Sequence, residues 1–342
     1  MFFRNMNATW PKAGQYFSKK SGIDRFLRLF ESSKSDDARL IAWLLSFGVI
    51  SYSDVTVYHS FKRVRNMYAE ESNSLFSDDI DPFSVLSREE GRTASVDIER
   101  TILFLKRITS DLGLTEERYT ELFGIAARVI SFNSKKKGIG YVQGYDRFLF
   151  LSMNLVIRYC KSNGFDYEFV ESLTSSLYNN FVILSLHIIN LDKKEKEIEK
   201  SFTKIDRLIK ETKPEMYQKL SDIQFLSLNF ALPWKIVFFA DIHNPSDLYL
   251  MWDQIIYYRN NLNEYVNSLC ISHILQVPIH EEYSEMVNCI QHFSEWRIHS
   301  LLTEADKIYA NVIAKNTKYM SIFIGTSSFV AIGAAIYSMW SK

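Results

Sequence analysis

Apolar residues recur every three or four positions along most of this 342-residue chain, with no sustained alternation of period two. Ile98, Ile102, Leu105 and Ile108 keep this spacing within Val96–Ile108, and Ile198, Phe202, Ile205 and Ile209 keep it within Asp192–Leu220. A one-sided apolar stripe of this kind has to be buried against other helices, so the expected fold class is all-α. With 47% hydrophobic and 15% aromatic residues, a large helical core is within reach.

Local signals divide the pattern. Thr115-Glu116-Glu117 supplies an N-cap and acids for the first turn of a helix running to about Ile130. Asn133–Gly140 is expected to be a loop containing the solvated lysines Lys135–Lys137, and Asp146–Cys160 a buried helix. Pro233 is expected to start a helix with Trp234, Val237 and Phe238 on its apolar face, and His243–Ser246 to break the chain. Trp234 and Trp252 read as core residues.

Charge and cysteine usage narrow the function classes. Lys+Arg and Asp+Glu both number 40, and no basic run stands out, so nucleic acid is not an expected partner. Cys160, Cys270 and Cys289 lie far apart and read as buried free thiols of a reducing compartment. The seven histidines show no metal-ligand spacing. From Tyr319 to Ser341 no residue is charged, and Tyr319, Tyr337 and Trp340 sit near the ends. As a helix at ~1.5 Å per residue this stretch reaches roughly 35 Å, enough for a ~30 Å hydrocarbon core. The expectation is a transmembrane tail anchor at 319–341, with the rest of the chain on the cytosolic side; a buried C-terminal helix is the plainer alternative.

Two segments carry candidate chemistry: Ala94-Ser95-Val96-Asp97-Ile98-Glu99-Arg100-Thr101 and Gly140-Tyr141-Val142-Gln143-Gly144-Tyr145. Neither arginine nor glutamine is a good nucleophile or general base. Together they suit phosphoryl transfer from a nucleotide, where an arginine neutralises developing charge and a carboxamide orients the attacking water. Asp97 and Arg100, spaced i, i+3, project from one helix face, so Asp97 can restrain the guanidinium or tie the helix to a neighbour. Gly138, Gly140 and Gly144 allow a tight turn and a close approach around Gln143. On spacing alone, however, Arg100 is an ordinary solvated charge and Gln143 an ordinary loop residue.

The two segments resemble the signature motifs of the TBC-domain family of Rab GTPase-activating proteins. Asp97, Arg100 and Thr101 match the first motif, Ile-x-x-Asp-x-x-Arg followed by Thr, and Tyr141, Gln143 and Gly144 match the second, Tyr-x-Gln-Gly. Leu208-Ile209-Lys210 with Pro214 and Leu220, then Ala231–Phe239 and Trp252-Asp253, are similar to the third motif and its surroundings. Arg39 and Trp43-Leu44-Leu45 resemble the family's N-terminal helix. The resemblance implies a V-shaped all-α fold over 25–300, with a finger-bearing subdomain at about 25–165 and a second at about 166–300, between an N-terminal segment 1–24 and a helical linker 301–318. It implies that Arg100 and Gln143 act as arginine and glutamine fingers on a Rab, supported by Asp97, Thr101, Tyr141 and Gly144. GTP and Mg²⁺ would arrive with the Rab, and the chain would need no cofactor of its own.

With a single C-terminal span, the chain looks like the membrane-anchored subgroup of the early secretory pathway, which implies the endoplasmic reticulum or early Golgi and a role in traffic between them. The alternative is a catalytically weak Rab-binding module or membrane-tethered adaptor. Two departures bear on strength. Ala94 replaces the motif's isoleucine, leaving room that Val96 or Ile98 would have to fill. Arg147 replaces a common aspartate, which puts the bracing of the glutamine loop in doubt.

Overall fold

The computed structural model describes residues 36–51, 56–76, 81–138, 140–165, 167–189 and 195–315. The stretches 1–24 and 319–341 lie outside them. The helices are α1 (Asp36–Ser46), α2 (Val57–Ser72), α3 (Arg88–Ile108), α4 (Glu116–Lys137), α5 (Asp146–Asn163), α6 (Val170–Ile188), α7 (Glu195–Thr212), α8 (Pro214–Asp222), α9 (Ser227–Ile236), α10 (Pro245–Tyr257), α11 (Leu262–Ile274), α12 (Tyr283–His292) and α13 (298–315). No strand occurs among the described residues, and no helix there is long and apolar enough to cross a membrane.

Helix boundaries follow local chemistry, not always as the sequence suggests. The α3 start is set by a capping box: the Ser87 side chain accepts from the Glu90 N–H, and Glu90 accepts from the Ser87 N–H. Thr115 caps α4 as expected, but α4 continues through Asn133 to Lys137, where Gly138 turns left-handed at φ 64°. Asn133 is held inside the helix because its amide donates to the Val129 carbonyl and to Ser175 Oγ. The single helical pattern over Asp192–Leu220 is split by Lys213, and Pro214 opens α8 at its first turn. Pro233 does not start a helix. It sits inside α9, which begins at Ser227 because Asp206 Oδ1 accepts the Ser227 N–H at 2.9 Å.

The chain forms two compact units that interleave in sequence. Among the described residues the first comprises 36–200 and 228–260, and the second 201–227 and 261–315. In the first unit α5 is the central helix, buried on nearly every side and packed against α1, α3, α4 and α6. Its Phe148 joins an aromatic core: Phe148 stacks on Phe181 at 5.7 Å, Phe181 lies 4.4 Å from Trp252, and Trp43 lies 5.3 Å from Phe181. The second unit is built on α11, also buried along its length, with Tyr265 against Tyr309 at 5.7 Å. Trp234 and Trp252 are core residues, Cys160 and Cys270 are buried, and Cys289 is only half-buried.

A buried ion pair pins α1 to α10. Arg39 Nε and Nη2 both lie 3.1 Å from Asp253 Oδ2, and Trp43 Nε1 donates to Asp253 Oδ1 at 2.7 Å. Removing one member of such a pair costs far more than the pair itself contributes. Asp253→Ala is expected to destabilise the domain by about 3–5 kcal/mol, read as a lowered urea midpoint with an unchanged slope.

Candidate functional site

The site is assembled from three elements of the first unit: α3, the 140–145 loop and the first turn of α5. On α3, Gly91, Ala94, Asp97, Ile98, Thr101 and Leu105 form the buried stripe. Arg100 therefore faces outward, and its side chain is 71% exposed. Gln143 is exposed at the tip of a turn closed by the Tyr145 N–H donating to the Val142 carbonyl at 3.0 Å.

Below these two exposed side chains lies a buried polar network. Tyr141 Oη is 2.9 Å from Asp97 Oδ2 and 3.3 Å from Asp146 Oδ1, and donates to these carboxylates. Thr101 Oγ1 donates to the other Asp146 oxygen. Asp97, Thr101, Tyr141 and Asp146 thus knit α3, the loop and α5 together. Arg100 Nη1 lies 4.0 Å from Asp97 Oδ1, close enough to feel the charge but not to be held by it. Gln143 is two residues from Tyr141, at most about 7 Å along the chain. Of the two roles open to Asp97 from sequence, tying the helix to a neighbour is the stronger.

Burial governs the electrostatics. It pushes the Asp146 carboxyl above its ordinary value, against the opposing Thr101 hydrogen bond and Arg147 charge. It pushes the Tyr141 phenol up as well, with Asp146, Tyr178 and Asp97 adding to the effect. Glu90, held below the usual carboxylate range by the Ser87 hydroxyl, also accepts the Tyr141 backbone N–H.

Gly144 answers a geometric requirement. Its φ is 96°, and a Cβ there would lie 2.9 Å from Val237 Cγ1. Val237 opens a turn in which Phe238 and Phe239 take left-handed φ values of 46° and 63°, at a cost of about 1–2 kcal/mol each. Both side chains are fully buried, and Trp252 Nε1 donates to the Phe238 carbonyl at 3.0 Å.

The family model for the Rab-GTPase-TBC domain matches residues 37–279, a span containing every element of the site. The chain belongs to this family. The crystal structure of the Ypt/Rab-GAP domain of Gyp1p resembles it in fold, at a TM-score of 0.60 and 15% identity, over 86% of this chain and 95% of that one. No curated protein matches the chain. Membership in the Rab-GTPase-TBC domain family makes a Rab small GTPase the partner class.

In this TBC domain both departures from the motif find a physical account. Ala94 is fully buried three residues after Gly91, where a Cβ would lie 3.2 Å from the Phe83 carbonyl. Small residues here let α3 press against the Pro82–Val85 turn. Ile98 is fully buried, whereas Val96 is 36% exposed. Arg147 does not leave the loop unbraced: Asp146, one residue earlier, takes the hydrogen bonds from Thr101 and Tyr141, while Arg147 Nε donates to Asp241 Oδ1 at 2.8 Å. Asp146 was missed in the sequence because an acid at a helix start already has a sufficient explanation in the helix dipole.

A carboxyl with a raised folded pKa binds more protons folded than unfolded, so its contribution to stability falls as pH rises above its ordinary 3.8 toward the raised value. Asp146→Asn keeps an acceptor for Thr101 and removes this titration. Its stability is expected to decline less than the parent's as pH rises through that window, as measured by urea unfolding.

Proposed function

We propose that this chain accelerates GTP hydrolysis by a Rab-family GTPase, supplying Arg100 and Gln143 to the bound nucleotide. One observation carries the reading: an exposed arginine and an exposed glutamine, on separate elements, rise from the same buried Asp97–Tyr141–Asp146–Thr101 network. Arg100, only loosely associated with Asp97, is free to leave it for a phosphate. Its guanidinium can spread positive charge over the transferring phosphoryl oxygens, and an arginine supplied in trans is worth ~10³–10⁵ in rate. The Gln143 carboxamide can accept a hydrogen bond from the attacking water while donating to a phosphate oxygen, which holds the water in line. Gly138 and Gly140, both exposed, and the left-handed Gly144 give the loop the slim backbone that a close approach requires.

In this reading GTP and Mg²⁺ come with the Rab, and the chain needs no cofactor of its own. The uncharged stretch from Tyr319 to Ser341, with its aromatic ends, supports a tail anchor in a bilayer. The catalytic domain then works on the cytosolic face of a membrane, which we place in the endoplasmic reticulum or early Golgi, in traffic between them.

With the Rab that responds to it, Arg100→Ala is expected to lower kcat/KM by ~10³ or more. Arg100→Lys should rescue little, because an ammonium lacks the planar fork; Gln143→Ala should fall comparably. A full Rab panel in single-turnover GTP hydrolysis decides this, and an Arg100→Ala rate equal to the parent's contradicts the reading. The anchor predicts that the chain stays with membranes in alkaline carbonate; release into the supernatant contradicts it.

A further inference from the structure

The buried network grips the Gln143 loop on its Tyr141 side; the opposite side is held by a different element. Gly144 presses on Val237, and four residues later in the same turn Asp241 accepts from Arg147. The Arg147 N–H donates to the Gly144 carbonyl at 3.0 Å, which joins the two grips.

We propose that Asp241, acting through Arg147, is a positioning residue for Gln143. The proposal rests on the Rab GTPase-activating reading above and names a residue outside the three motifs.

Three observations support it independently. First, the turn carrying Asp241 is a rigid reference. Phe238 and Phe239 persist in left-handed conformations because their buried rings and hydrogen bonds leave no alternative: Phe239 N–H to the Trp234 carbonyl at 2.8 Å, Ala240 N–H to the Val237 carbonyl at 3.1 Å, and Ile242 N–H to the Phe239 carbonyl at 3.2 Å. Second, the Arg147 guanidinium also lies over the Phe104 ring, 5.6 Å from its centroid, and Phe104 is one helical turn beyond Arg100 on α3. A single guanidinium therefore connects the turn, the root of the glutamine loop and the helix carrying the arginine. Third, the pair is half-exposed, with side chains 32% and 53% accessible. Exposed pairs of this kind add little to global stability. Its consequence is local: without the carboxylate, the Arg147 guanidinium keeps only the Phe104 ring, and the loop loses one of the ties on its Val237 side.

Displacing a catalytic group by about 1 Å costs up to ~10²-fold in rate. Asp241→Asn in the full chain is therefore expected to lower the maximal rate of Rab GTP hydrolysis by ~10-fold, with half-saturation and melting temperature unchanged. Added to Gln143→Ala it should cause no further loss, because both changes act on one side chain. Amide exchange over residues 142–147 should accelerate in Asp241→Asn, a readout that needs no Rab. An unchanged rate, a loss that multiplies with Gln143→Ala, or unchanged exchange overturns the proposal. Failure of the parent chain on every Rab overturns the functional reading instead, and the exchange measurement still decides whether the clamp exists.

Discussion

A phenol hydroxyl placed between two buried carboxylates is the interaction on which the site depends. Arg100 and Gln143 are both exposed and have no direct tie to each other. Their relation is set one layer down, where Tyr141 Oη meets Asp97 and Asp146 and Thr101 meets Asp146. Burying two carboxylates is costly, and the raised Asp146 pKa records that cost. Apolar residues of the same size would pack with less penalty but would not specify the direction of α3 against the loop. Hydrogen bonds between fixed partners do.

The rest of the first unit serves as backing for this layer. Asp146 opens α5, whose nearly complete burial fixes the helix in the domain. Phe148, two residues on, stacks into the cluster that also holds Trp43, Phe181 and Trp252. The same cluster reaches Phe238 through Phe148 at 5.5 Å, and so supports the left-handed turn behind Gly144. Backbone strain at Phe238 and Phe239 is tolerated because the core over-determines it. The glycine loop that carries the exposed Gln143 is thereby backed by the core.

Much of this was legible in the sequence. The helical period, the Thr115 cap and a break at His243-Asn244 follow rules that act within one or two turns, although Pro245 and Ser246, expected in that break, already open α10. Asp97 and Tyr141 were visible as motif residues, but only the fold shows that they bond each other across 44 positions. What stayed hidden depends on contacts distant in sequence. The α9 start is decided by Asp206, and α4 extends past Asn133 because Ser175 helps satisfy that amide. The partnership of Arg147 with Asp241 spans 94 residues and leaves no periodic trace. The interleaved division into units likewise follows from which helices pack, not from any change in composition along the chain.

The most direct measurement is the affinity of the chain for a Rab loaded with GDP, with and without aluminium fluoride as a mimic of the transferring phosphoryl group. Complementarity to the transition state predicts tighter binding when the fluoride is present. If the buried network presets both side chains, Arg100→Ala and Gln143→Ala each abolish that gain, and Tyr141→Phe, a change within the buried network, diminishes it. A fluoride-dependent gain that survives intact in Gln143→Ala or in Tyr141→Phe contradicts a site whose two groups are positioned together from below.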